Sequence, residues 1–374
     1  MSDVSNAPKF HIDRSQYGQG LADWFRDSHT DQKNVEIRDI DIPVNTGFSN
    51  ETVFFTIDSE TEGVANSGRY VARVEPEDGG MFPIQTNACA VSVALQHRAM
   101  KTVQEYSDVP IPTISTLKDA TYLGSPFFIM VFVEGKIPSD RPRYTEEGFV
   151  VDEATPDQRT QMVQSGLEAM AGIHAIDWKD AGLDWLDPSG NGIPTQALQI
   201  DIYRKYVENE LAGREHPVMS YALDWLADND PRDERVGLTW GDARLGNIIW
   251  QDYTPAAVVD WEACALGPTE ADLGWWLMFD RMSFDEYGID RLAGYPSREE
   301  QVEHYEAISG REVRNAHYWE VFATMRFCAI FIRLGDRITN AGLLPSEMNP
   351  AVGNMVTQSL ATLLDIENPT PSLI

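Results

Sequence analysis

Cysteine is scarce in this 374-residue chain: Cys89, Cys264 and Cys328 are odd in number and form no CxxC pair. That argues against a disulfide framework and against a thiolate metal site, and predicts three reduced thiols. Long hydrophobic runs are also missing, since no stretch approaches the roughly 18 consecutive apolar residues that a spanning helix requires. The opening MSDVSNAPKFHIDRSQ has no apolar signal-peptide core, so a cytoplasmic location is expected. Positive charge is in short supply, with 29 Lys and Arg against 59 Asp and Glu and a net charge of −30. Such a balance argues against broad attraction to nucleic acid or to anionic membranes. It would accommodate a cationic partner, although solubility alone explains it as well.

What is present is enough apolar material, 43% of residues, for one large core or two moderate ones. Residues 1–40 are polar and mixed, and read as a peripheral extension with a short helix near 21–27. From 41 to 135 the pattern is of short strands, VFFTI (53–57), YVARVE (70–75) and FFIMVFV (127–133), with a helical stretch over 89–106. Beyond Gly135 amphipathic helices take over, at 156–177, 196–212 and 217–227, so residues 136–374 read as a mainly helical unit. Pro138 and Pro142 mark the passage between the two.

The most informative segment runs from Trp240 to Trp276, WGDARLGNIIWQDYTPAAVVDWEACALGPTEADLGWW. Residues 248–250 and 256–259 can pair as a hairpin across QDYTP, which brings the residues before one strand to the end of the other. Asp242, Asn247 and Asp260 then converge. Two carboxylates and an amide are hard oxygen donors, which suit Mg²⁺ with water and phosphate oxygens better than a transition metal. Arg244 adds a permanent cation where a transferring phosphoryl group needs its charge balanced. In the first half, Gly47, Ser49 and Asn50 lie between strand-like runs, where a turn can bring backbone N–H groups to phosphate oxygens or be a plain β-turn.

These residues carry a resemblance. The intervals from Asp242 to Arg244 and Asn247, with Asp260 after the hairpin, resemble the catalytic and metal-binding loops of aminoglycoside phosphotransferases, choline kinases and their protein-kinase relatives. The ordered series GFSNETVFF, YVARVEP, VPIPT, PFFIMVFVEG, WGDARLGN and VVDWEACALGP is similar to kinase-like domains attached to some acyl-CoA dehydrogenases. The resemblance implies an α+β fold of two lobes, a small β-rich N-lobe and a larger helical C-lobe. It implies an ATP- and Mg²⁺-dependent phosphotransferase acting on a hydroxyl of a small molecule, a hydroxyacyl compound or an aminoglycoside-like acceptor.

Residue by residue, the family pattern makes Asp242 the group that positions or deprotonates the hydroxyl, and Arg244 the partner of the moving phosphoryl group. Asn247 and Asp260 would hold Mg²⁺. Gly47, Ser49, Asn50 and Arg73 would meet the ATP phosphates, and the backbone around Met130, Phe132 and Val133 the adenine. Asp272 in EADLGWW would brace the loop. Three positions depart from the pattern: Trp240 stands for the usual His, Gln96 for the acidic partner of the phosphate-binding cation, and GPT for GDP after Ala265 and Leu266. The first two leave room for an inactive nucleotide-binding module.

Other features read as structural. His174 in GIHAID is expected to be packed and hydrogen-bonded, and Met162, Leu167, Met170 and Ile173 to form a buried stripe. Trp275, Trp276, Trp319 and Phe322 read as packing groups, of which one could face an acceptor. The acidic run 299–306 reads as a solvated helical face.

Overall fold

A computed structural model describes residues 13–43, 49–77, 79–232 and 235–370. The first lobe holds α1 (Tyr17–Ser28), β1 (Gln32–Asp41), β2 (Glu51–Thr61), β3 (Val64–Val74), α2 (Ser92–Tyr106) and β4 (Phe127–Val131). Its four strands form an antiparallel sheet in chain order. The β2–β3 hairpin turns on Glu62 and Gly63, both at positive φ (51° and 83°), as a tight two-residue connection between right-twisted strands requires.

The expectation of a peripheral N-terminal extension is corrected for its described part. Strand β1 pairs with β2, and α1 covers one face of the sheet. Tyr17, Leu21, Trp24 and Phe25 recur at helical spacing and pack on Val53, Phe55, Ile57 and Phe127. The polar appearance of the segment arises because β1 is an edge strand whose Lys, Glu and Asp side chains stay in water.

The second lobe contains α3 (Phe149–Asp152), α4 (Pro156–His174), α5 (Gln196–Leu211), α6 (Pro217–Asp228), β5 (Val236–Thr239), β6 (Ile248–Gln251), β7 (Thr254–Val258), β8 (Ala265–Pro268), α7 (Glu270–Ser283), α8 (Arg298–Ser309), α9 (Ala316–Asn340) and α10 (Met355–Leu363). Helix α4 begins where Pro156 and a Thr155/Gln158 capping box place it, and its stripe Met162, Leu167, Met170 and Ile173 is buried. The expected hairpin forms as β6–β7, while β5 pairs with β8. Helices α7 and α9 pack closely at Gly274, where an added Cβ would overlap the Trp319 backbone. The acidic run lies on α8, with Glu299 and Glu300 outward and Gln301 and Tyr305 buried.

One core runs from Val71, Phe128 and Met130 of the sheet through α2 and α4 to Trp240 and Trp261, so it joins the lobes. A second lies among α5, α6, α7, α9 and α10. Leu21, fully buried beneath the sheet, tests whether α1 belongs to the first lobe. Leu21→Ala is expected to cost about 3 kcal/mol, read as a lowered urea midpoint, whereas a peripheral helix would leave the midpoint unchanged.

Candidate active site

The loop after β5 is fixed by a buried carboxylate. Asp272, fully buried in the first turn of α7, accepts hydrogen bonds from the backbone N–H groups of Trp240 (2.6 Å) and Gly241 (2.8 Å). It also contacts His174 Nε2 at 2.9 Å, and His174 Nδ1 lies 2.7 Å from the Tyr305 hydroxyl. His174 is therefore the packed, bonded histidine its sequence context predicts. Gly241 must be glycine twice over: its φ is +90°, and a Cβ there would overlap the Ala263 carbonyl. Arg326 Nη2 donates to the Gly241 carbonyl at 2.8 Å.

Trp240 takes up the bracing position expected of a His. Its backbone N–H meets Asp272, and its indole Nε1 donates to the Val259 carbonyl at 2.9 Å, tying this loop to the residue before Asp260. Asn247 closes the arrangement: its Nδ2 donates to the Asp242 carbonyl (2.9 Å) and its own carbonyl accepts from Val259 N–H (3.0 Å). With Nδ2 committed, the amide oxygen is the atom Asn247 offers to a ligand.

Asp242 carries two contacts on one oxygen. Oδ1 accepts from Trp275 Nε1 at 2.7 Å and lies 3.3 Å from Arg244 Nε. Arg244 also holds Asp140 through Nη1, at 2.8 and 3.0 Å, so it bridges the loop to the 139–146 segment. Burial works against the Arg244 charge, but Asp242, Asp140 and Asp260 outweigh it and raise its pKa. Asp260 sits at φ +60°, in the left-handed region that Asp tolerates better than most side chains. Arg73, which donates to Thr52 Oγ1 at 2.6 Å, is 3.4 Å from Asp260 Oδ1. Burial pushes the Asp260 carboxyl up, Arg73 opposes this, and the Asp242 charge adds to it.

Arg73 has no acidic partner on α2, since Gln96 reaches Ser92 of its own helix (3.4 Å) and Glu75 accepts from the N–H groups of Ser92 (3.1 Å) and Val93 (2.8 Å). Ser49 Oγ and Asn50 Nδ2 (3.0 Å) both donate to Glu262. Asn50 Oδ1 is buried with no hydrogen-bond partner among the described residues. Gly47 lies outside the described residues. The Glu262 carboxyl is pushed up to about 8 by burial and by the nearby Asp260 charge. Met130 pairs with Val71 in the sheet, and Phe132 lies under the Arg69 guanidinium (3.7 Å) with its N–H on the Arg69 carbonyl (3.0 Å). Val133, half-buried, follows on the connection between the lobes.

The structure thus brings Asp242, Arg244, Asn247, Asp260 and Arg73 together, with Ser49 and Asn50 reaching the same place through Glu262. Among the described residues no three His, Cys, Asp or Glu side chains form a metal site by themselves. The donor set of one carboxylate and one amide oxygen fits Mg²⁺, which keeps water and phosphate oxygens as its other ligands. The contacts of Asp140, Trp275 and Arg326 with the loop are missed by sequence reasoning, which reads Trp275 only as a packing group, because each partner lies from 33 to 104 positions away.

Asp242 and its neighbours lie on one wall of a cavity of about 550 Å³. The model of the phosphotransferase enzyme family matches residues 42–306. The chain belongs to that family. Among curated relatives it is 24% identical over 75% of its length to the Arabidopsis thaliana protein "Probable acyl-CoA dehydrogenase IBR3", and 26% identical over 64% to acyl-CoA dehydrogenase family member 10 of Mus musculus. It spans 36% and 22% of their respective lengths. Among solved structures, a Ralstonia eutropha protein assigned as an aminoglycoside phosphotransferase superposes with a TM-score of 0.64 at 21% identity, covering 94% of this chain and 99% of that one. A thermostable mutant of the aminoglycoside phosphotransferase APH(4)-Ia, in ternary complex with ADP and hygromycin B, gives 0.52 at 15% identity, with 92% and 98% covered. These likenesses establish the two-lobed fold. No helix among the described residues is long and apolar enough to cross a membrane.

Asp272→Asn would set an amide NH₂ against donors that now share a carboxylate. Equilibrium unfolding of that variant is expected to show a loss of about 3 kcal/mol, and an unchanged midpoint would remove Asp272 as the brace of the loop.

Proposed function

We propose that this phosphotransferase-family protein moves the γ-phosphoryl group of ATP to a hydroxyl of a small molecule. The observation that carries the reading is Asp242: its Oδ1 is held by Trp275 and Arg244, and the residue lines a cavity large enough for a small acceptor. That leaves Oδ2 to accept the hydroxyl proton. The hydroxyl oxygen then bonds to the γ-phosphorus, the bond to the β–γ bridging oxygen breaks, and ADP departs with that electron pair. Catalysis on this scheme is alignment and charge compensation. Arg244 balances the phosphoryl charge from the side of Asp140, and Arg73 lies across from it beside Asp260.

Asn247 and Asp260 would hold Mg²⁺, whose charge neutralises the phosphate oxygens when bound. Ser49, Asn50 and Gly47 are assigned to the phosphate side. The backbone from Met130 to Val133 is assigned to the adenine, with the Phe132 ring already packed under Arg69. The complex of APH(4)-Ia with ADP and hygromycin B supports nucleotide use and a small-molecule acceptor. An inactive binding module has no need of a carboxylate oriented by an indole N–H, and Trp240 supplies the bracing that its departure from the family pattern put in question. We assign the protein to the cytoplasm, without nucleic-acid or membrane partners.

Asp260→Ala should abolish Mg²⁺-dependent binding of a non-hydrolysable ATP analogue in calorimetric titration, and equal binding with and without metal in both proteins would remove the site. Asp242→Asn should lower turnover by about 10²–10⁴-fold while nucleotide affinity stays within about twofold. Trp275→Phe should lower kcat about tenfold with the KM for ATP unchanged, the size expected for one hydrogen bond to a charged group.

A further inference from the structure

The cavity beside Asp242 is polar on one wall and apolar on the other. Its polar wall is the loop with Asp242 and Arg244 together with the 139–146 segment. The opposite wall comes from α7, α9 and α10 with Phe82. Phe82, Phe279, Phe327, Phe331, Leu334 and Met355 are the half-buried members of the second core that line it. Phe327, Phe331 and Leu334 stand at i, i+4 and i+7 on one face of α9. Their rings continue one another: Phe331 to Phe327 at 5.0 Å, Phe327 to Phe279 at 5.4 Å, and Phe279 to Trp275 at 5.6 Å. The ladder ends at the indole that holds Asp242. Six large apolar side chains left only partly buried around one cavity forgo stabilisation that an apolar occupant would restore.

The carboxylates of the cavity point the same way. Asp140 is held by Arg244, Glu146 by Arg143 (2.9 Å), Asp242 by Trp275 and Arg244, and Glu262 by Ser49 and Asn50. Each meets at least one donor of the chain itself, with Asp242 Oδ2 left open. Arg141 and Arg143 stand at the same wall, Arg143 stacked on Tyr287 at 3.3 Å. An acceptor with several ammonium groups would meet guanidinium groups and pre-engaged carboxylates, in spite of the net charge of −30.

We infer that the acceptor is a hydroxylated apolar molecule, its hydrocarbon body on the Phe279–Phe327–Phe331 wall and its hydroxyl at Asp242, and not a polycationic aminosugar. This rests on the phosphotransferase reading. The transfer is the one written above, and its products are a phosphate monoester, ADP and a proton carried by Asp242.

The probes are linear 1-alkanols from butanol to decanol, and kanamycin as the polycation, titrated into the full chain with a Mg²⁺-bound ATP analogue and followed by ligand-observed NMR. Affinity should rise about fourfold for each added methylene until the cavity is filled, exceed that of kanamycin at the longer lengths, and fall about tenfold in Phe331→Asn. A series without length dependence, or tighter binding of kanamycin, would overturn the inference. The wild-type series needs no variant to fold. A separate titration with the nucleotide alone keeps the two readings apart: nucleotide binding with a flat alkanol series sinks the acceptor class alone. Absent nucleotide binding sinks the phosphotransfer on which the acceptor role rests.

Discussion

One buried carboxylate organises the site. Asp272 has no access to solvent, so its charge is tolerable only because two backbone N–H groups and His174 surround it. Those two N–H groups belong to the residues immediately before Asp242, and their capture sets where Asp242 begins. The carboxylate lies in the first turn of α7, where the helix dipole favours negative charge. Helix α7 is itself locked to α9 through the glycine contact at Gly274. The position of the loop is thereby referred to a closely packed pair of helices in the second lobe.

From that anchor the remaining groups follow by short links. Trp240 joins the loop to the residue before Asp260, and Asn247 joins Asp242 to Val259, so the two candidate functional carboxylates move as one body. Between the lobes, Arg73 reaches from the sheet to Asp260 with a long contact of 3.4 Å, and Ser49 and Asn50 donate to Glu262. Burial first, and then the Asp260 charge, raises the Glu262 carboxyl at the same place, with Arg73 opposing.

Net charge and local chemistry diverge in this protein. The surplus of acidic residues is real, yet each carboxylate around the cavity meets a donor, and the wall opposite them is aromatic and aliphatic. Surface charge governs solubility and encounter, whereas the cavity lining governs what is held. The likeness to aminoglycoside phosphotransferases therefore establishes the fold without transferring the acceptor.

Sequence alone determined much about this chain. Period-two and period-3.6 patterns placed the strands β2, β3 and β4 and the helices α4, α5 and α6, and the spacing of Asp242, Arg244, Asn247 and Asp260 brought that group together through a hairpin. These features are legible because they depend on neighbours in sequence. Strand β1 and helix α1 were misread as peripheral, since an edge strand exposes polar side chains and gives a weak pattern. Only the tertiary structure decided that Trp275 orients Asp242, that Asp140 bridges to Arg244 and that Ser49 and Asn50 close on Glu262. These contacts span 33, 104, 213 and 212 positions. The apolar wall was likewise hidden, because an α9 face lining a cavity and one buried in a core have the same periodicity, and only packing distinguishes them.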